Sequence, residues 1–129
     1  MRFAPALIAL LSVSCYVSQT DPEVVAKKFA DSISSSQPGS AFALTAASFR
    51  EKHPVEEIES DARILAPCAG SIIKTEMPSQ DNVERTYRFT YRELCGRGFS
   101  FQGVDVTVRK DGERWQVTSY SPQAIRVVG

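Results

Sequence analysis

At Pro67 the hydrophobic period of this chain changes from about 3.6 residues to 2, and that switch constrains the fold more than any other feature. Upstream, apolar residues recur at helical spacing. Asp21-Pro22-Glu23 opens a first helix, with Thr20 and Glu23 as a capping box and Pro22 tolerated in the first turn. Its stripe is Val25, Phe29 and Ile33, with Lys27, Lys28 and Asp31 on the other side. Residues 34–39 read as a Ser/Pro/Gly loop. Ser40 caps a second helix with the stripe Phe42, Thr45/Ala46 and Phe49. His53-Pro54 breaks it and starts a third, along which Val55, Ile58, Ala62 and Leu65 share a face.

Downstream, residues 71–77 and 83–94 alternate as strands. Val83, Tyr87, Phe89 and Tyr91 share one face of the longer strand; Glu84, Thr86, Arg88, Thr90 and Arg92 share the other. Phe99 and Phe101 continue the apolar face in a third strand. At Gly103 the phase flips to Val104, Val106 and Val108, which predicts a bulge that bends the sheet. Asp111-Gly112 is a strong hairpin signal, and a two-residue loop there sets Val108 opposite Trp115 and Val106 opposite Val117. Residues 125–128 add a short final strand. The expectation is an α+β domain: N-terminal helices packed on a bent antiparallel meander of four to five strands, because the sheet's single apolar face needs the helices as cover.

The N-terminus carries a different message. Met1-Arg2 precedes an apolar run from Phe3 to Val13, too short to span a bilayer, and Ser12 and Ser14 satisfy the small-x-small pattern of signal cleavage before Cys15. The organisation read from this is a signal peptide over residues 1–14, a linker over 15–20 and one domain over 21–129. Cys15 stands where a bacterial lipoprotein carries its lipidated cysteine, but the preceding Leu10-Leu11-Ser12-Val13-Ser14 departs from the lipobox at −3 and −1. Two outcomes stay open: an anchor through Cys15, or its loss with the leader. Membrane contact is expected only through that anchor.

With 43% hydrophobic residues the domain can build one core, and zero formal charge argues against a nucleic-acid partner. The charge is split, however: residues 15–82 carry ten acids and six bases, residues 83–129 five acids and eight bases. An acidic helical part facing a basic sheet is one reading; a basic partner-binding face is the other.

Export also favours a Cys68–Cys95 disulfide, since small domains in oxidising compartments gain from a covalent staple. If Met77 and Val83 flank a turn, Cys68 lies across from Arg92, and Cys95 is three residues further on, so a bulge or bend must close the gap. Two free thiols or a metal site are the competing readings.

The succession of helix, loop, a helix carrying Thr45-Ala46-Ala47-Ser48-Phe49-Arg50, a short helix and a meander ending Asp111-Gly112-Glu113-Arg114-Trp115-Gln116-Val117 resembles the cystatin-like α+β roll of the nuclear transport factor 2-like superfamily. The resemblance implies a roll that can enclose a cone, as in ketosteroid-isomerase-like relatives. Candidate cone-lining residues are Tyr87, Phe89, Tyr91, Phe101 and Trp115. Their bulk argues for a filled cone. An enzyme would also need a carboxylate on that face, and only Glu93 near one end qualifies, with Asp105 on the opposite side. His53, the single histidine, sits at a helix junction and has no second ligand to complete a metal site. No cofactor is expected.

Arg88, Arg92, Arg109 and Arg114 fall on the outer sheet face. The hairpin register puts Arg109 opposite Arg114, a like-charge pair that suits an anionic partner, but local pairing of Arg88 with Asp105 and Arg109 with Glu84 is the favoured reading. The functional expectation is a non-catalytic interaction module of the bacterial cell envelope, its partner another envelope protein. A small apolar-ligand binder or isomerase-like enzyme using the cone is the alternative.

Overall fold

Asp21 starts the helical layer. Its carboxylate accepts hydrogen bonds from the backbone N–H groups of Glu23 (3.0 Å) and Val24 (3.3 Å), so the first helix is capped by Asp21 and not by Thr20. The computed structural model describes residues 19–125, and four helices precede four strands within them. These are α1 (Pro22–Ser34), α2 (Pro38–Ala43), α3 (Ala47–Lys52) and α4 (Val55–Leu65), then a 3-10 turn (Ala66–Cys68), β1 (Ile72–Gln80), β2 (Glu84–Cys95), β3 (Ser100–Asp111) and β4 (Arg114–Ile125). The strands form one antiparallel sheet in the order β1-β2-β3-β4. The α+β class and the helices-then-meander order are as expected. The expected signal peptide, Cys15 and all but the first residue of the expected fifth strand lie outside the described residues; Ile125 itself ends β4.

The expected second helix is two helices. The chain leaves helical geometry at residues 44–46 because they pair with β4: Val117 N–H donates to Leu44 C=O (2.9 Å) and Ala46 N–H to Val117 C=O (2.8 Å), with Thr45 bridged to Val117. Thr45 is fully buried, and its hydroxyl donates to Phe42 C=O at 2.6 Å. Helical periodicity continues through this segment in sequence, but the sheet edge takes its backbone groups instead.

The core lies between α1 and β2–β4. Val25, Phe29 and Ile33 of α1 and Ile58 and Leu65 of α4 meet Phe89, Val104, Val106, Val108 and Val117, all of them fully buried. The ladder is irregular where the phase change was expected. Gly103 stands opposite Thr90 on β2, and the next pair is Phe101 with Cys95, so β2 carries surplus residues there. Gly103 also allows close approach: a Cβ at this position would lie 2.1 Å from the Phe89 carbonyl oxygen. Phe101 and Val104 are both buried across the flip, whereas Phe99 is exposed instead of continuing the inner face.

Two registers differ from expectation. The β3–β4 loop is Gly112-Glu113, with Asp111 opposite Arg114 and Val108 opposite Val117, one step further along the chain than an Asp111-Gly112 loop. Gly112 supplies the positive φ of 65° that this tight turn requires. In the β1–β2 hairpin the turn is tighter than expected. Gln80 pairs with Arg85, and the Asp81 carboxylate accepts from the N–H groups of Val83 (2.8 Å) and Glu84 (2.6 Å). Two register shifts along β1, between Ile72 and Lys74 and between Glu76 and Ser79, then bring Arg92 N–H to Ser71 C=O (2.7 Å) and, three residues beyond that pair, Cys68 to Cys95. Their Cα atoms are 5.3 Å apart and the disulfide is formed.

Candidate functional site

The expected cone-lining residues are core residues. Tyr87, Phe89, Tyr91, Phe101 and Trp115 are each no more than 8% exposed, packed under α1 and its neighbours. Phe89 also borders a concavity of about 430 Å³ on the outer side, lined by Lys74, Glu76, Arg88, Thr90 and Gln123 among others. Tyr91 directs a fully buried hydroxyl to which no protein partner is hydrogen-bonded among the described residues. Burial, and to a smaller extent the charge of Asp31, pushes its phenol up to about 12.

The arginines of the outer face are engaged locally. Arg88 makes a bidentate pair with Asp105, Nε and Nη2 each 3.0 Å from a carboxylate oxygen, and this hydrogen bond raises its pKa further. Arg109 reaches Glu84 at 3.4 Å from the directly opposite position on β2. The like-charge pair of Arg109 and Arg114 does not form, because the displaced loop sets Arg109 against Gln116. Arg114 instead donates through Nε (3.1 Å) and Nη2 to the side-chain carbonyl of Gln19. Arg92 is exposed near the end of β2. Around Arg88 and Arg109 the outer face thus carries matched charges, with Thr86 and Thr107 hydrogen-bonded between them at 2.9 Å.

Other relationships were not visible in the sequence. Gln19, expected in a linker, is buried against β4: its C=O accepts from Trp115 N–H (2.7 Å) and its side-chain amide donates to Trp115 C=O (3.1 Å). The Arg85 guanidinium lies 5.1 Å from the Trp115 ring centre, a cation–π contact at the mouth of the core. Tyr120 on β4 donates to Asp61 on α4. His53 stacks on Phe49 (4.6 Å) and bonds Glu57 through Nδ1 (2.8 Å), which makes it a helix-junction residue and not part of a constellation. Among the described residues no group of three or more His, Cys, Asp or Glu is placed to hold a metal ion.

The feature most open to another molecule is β1. It is an edge strand, and every residue from 73 to 80 is exposed, including Ile73 at 57% and Met77 at 42%. The helical layer covers β2–β4 and leaves β1 bare. The opposite edge is different: β4 is occupied over residues 115–117 by Gln19 and residues 44–46.

No protein-family model matches the chain, and no curated protein matches it in sequence. Among solved structures, the fold is similar to the solution structure of a SEC-C motif-containing protein from Rhodopseudomonas palustris. The TM-score is 0.61 with 14% identity, over 84% of each chain. At that identity the likeness concerns the arrangement of helices and strands.

Proposed function

We propose that this chain is an exported, non-catalytic interaction module of the bacterial cell envelope, built on a cystatin-like roll whose cone is filled, and that it engages other proteins through the free edge of β1. The observation that carries this reading is the contrast between the two sides of the sheet's interior. Tyr87, Phe89, Tyr91, Phe101 and Trp115 close the space a small ligand would need, while β1, paired with β2 on one side, leaves its other edge unpaired and uncovered. Strand addition to such an edge takes its affinity from backbone hydrogen bonds and its selectivity from alternate side chains. The Cys68–Cys95 bond supports export, since structural disulfides persist chiefly in oxidising compartments. Membrane attachment through Cys15 fits the same reading, as does release when Cys15 leaves with the leader. With Arg88 and Arg109 neutralised by their neighbours, the outer face is the weaker candidate for a partner.

The test is site-specific photo-crosslinking in the native host. A benzophenone side chain at Ile73 should yield a protein adduct, and the same group at Arg92 on the outer face should not. Adducts at Arg92 alone would move the interface to the arginine face. An apolar molecule retained by the folded protein in native mass spectrometry would favour the carrier reading instead.

A further inference from the structure

The free edge of β1 is self-complementary. Its exposed stretch reads Ile73-Lys74-Thr75-Glu76-Met77, bounded by Pro78. If two copies are paired antiparallel about a two-fold axis at Thr75, Ile73 of each faces Met77 of the other. Lys74 of each faces Glu76 of the other, and the two Thr75 residues meet on the axis. Apolar thus meets apolar, opposite charges meet twice, and a β-branched pair sits at the centre. All three are favourable cross-strand combinations.

The backbone is regular over the centre of this pairing, from Lys74 to Glu76, between register shifts at residues 72/74 and 76/79. Val83 C=O accepts from Lys110 N–H, so the odd residues of β2 bond toward β3. Arg92 N–H donates to Ser71 C=O and Glu84 C=O accepts from Asp81 N–H, so the even residues of β2 bond toward β1. Thr75 stands opposite Phe89, an odd residue. By the alternation of an antiparallel ladder its own N–H and C=O therefore point away from β2, into the free edge.

The same residues reject neighbouring registers. A slip that keeps the faces in phase puts Lys74 opposite Lys74 in one direction and Glu76 opposite Glu76 in the other, like charges on the axis. Pro78 has no N–H to donate and ends the usable stretch. Within one chain Lys74 and Glu76 are 3.5 Å apart with side chains at least half exposed, a weak pair that can exchange partners.

We propose that the chain forms a homodimer through β1, antiparallel and centred on Thr75, giving a continuous eight-stranded sheet. This names the first occupant of the edge and rests on the reading of β1 as the interaction site. Strand pairing alone makes a small interface, so the dimer is weak and concentration-dependent.

The experiment is sedimentation of the exported protein up to the high micromolar range, with three variants. Lys74→Glu should weaken the dimer by roughly tenfold, because both symmetry-related pairs become repulsive. Lys74→Glu combined with Glu76→Lys should restore it. Thr75→Cys should give a disulfide-linked dimer under mild oxidation, and Thr107→Cys on the outer face should not. A monomer at every concentration with no Thr75→Cys dimer overturns the proposal, and so does a dimer indifferent to the charge swap. If the protein is monomeric but benzophenone at Ile73 still captures another envelope protein, the dimer is wrong and strand addition stands. With neither, both readings fall.

Discussion

The Tyr120 hydroxyl donates a hydrogen bond to the Asp61 carboxylate, tying the last strand to α4 across the seam between sheet and helices. The Tyr120 ring packs 5.1 Å from Phe29 and 6.1 Å from Phe49 (centroid distances), so the bond is held in an aromatic setting that limits water. A hydrogen bond to a charged group contributes about 1.5–3 kcal/mol. Tyr120→Phe keeps the ring and removes only the bond. It should lower unfolding free energy by about that amount in urea titrations, with an unchanged m-value. A loss well under 1 kcal/mol would mean the pair is no more than a surface contact.

Alkaline pH should destabilise the fold for a related reason. Burial first, then the Asp61 hydrogen bond and the charges of Asp61 and Glu57, raise the Tyr120 phenol; burial raises Tyr91 to about 12. Both are acids whose folded pKa lies above the unfolded value of about 10. Their contribution is complete below that value and is lost as pH climbs through it toward the folded values, because the unfolded chain has already released the protons. Phenolate absorbance from these two residues should rise together with loss of circular dichroism. Tyr91→Phe removes one of the two penalties and should move alkaline unfolding to higher pH. Four tyrosines titrating near 10 with the fold intact would refute the assignment.

Reduction should cost the domain a large share of its stability. The Cys68–Cys95 bond spans 27 residues and joins the turn after α4 to the end of β2. The chain-entropy model assigns a loop of that length about 3.5 kcal/mol. Cys68→Ser/Cys95→Ser should shift the urea midpoint by the corresponding amount, and denatured oxidised protein should show neither of these thiols free.

Gly103→Ala should be among the most damaging single methyl additions. The new methyl would sit 2.1 Å from the Phe89 carbonyl oxygen, against backbone that cannot rotate away. Overpacking of this kind costs about 1–3 kcal/mol. The adjacent Gln102→Ala, on an exposed side chain, is the control and should be near neutral in the same thermal melt.

Local pattern was enough to read the period switch, the helices α1 and α4, the glycine flip and the pairing of Arg88 with Asp105 and Glu84 with Arg109. What escaped the sequence was settled by tertiary partners. Thr45 and Ala46 continue a helical stripe, yet Val117 binds the backbone of Leu44 and Ala46 on either side of Thr45, so the helix splits. Val83 alternates correctly with Tyr87, but the Asp81 turn holds it at the hairpin mouth, where it is 43% exposed. The same tight turn moves the register, and two irregularities along β1 complete the shift that brings Cys68 level with Cys95. Gln19 reads as linker because nothing local marks a glutamine that fills its bonds on a distant strand. The aromatics read from the sequence as cone-lining candidates are buried in the core. The bare edge at β1 was legible only once the strand order showed which strand had no neighbour.

The two ends of the sheet are unequal, and this limits what β1 can build. One end offers Thr75 and its neighbours; the other is closed over residues 115–117 and interrupted further on by Pro122, which has no N–H to give. Joining two chains at β1 uses up the receptive end of both and leaves only the obstructed ends outermost. Growth by strand stacking therefore stops after a single step, so a naked strand that would seed fibres in a sheet with two receptive ends is here self-limiting.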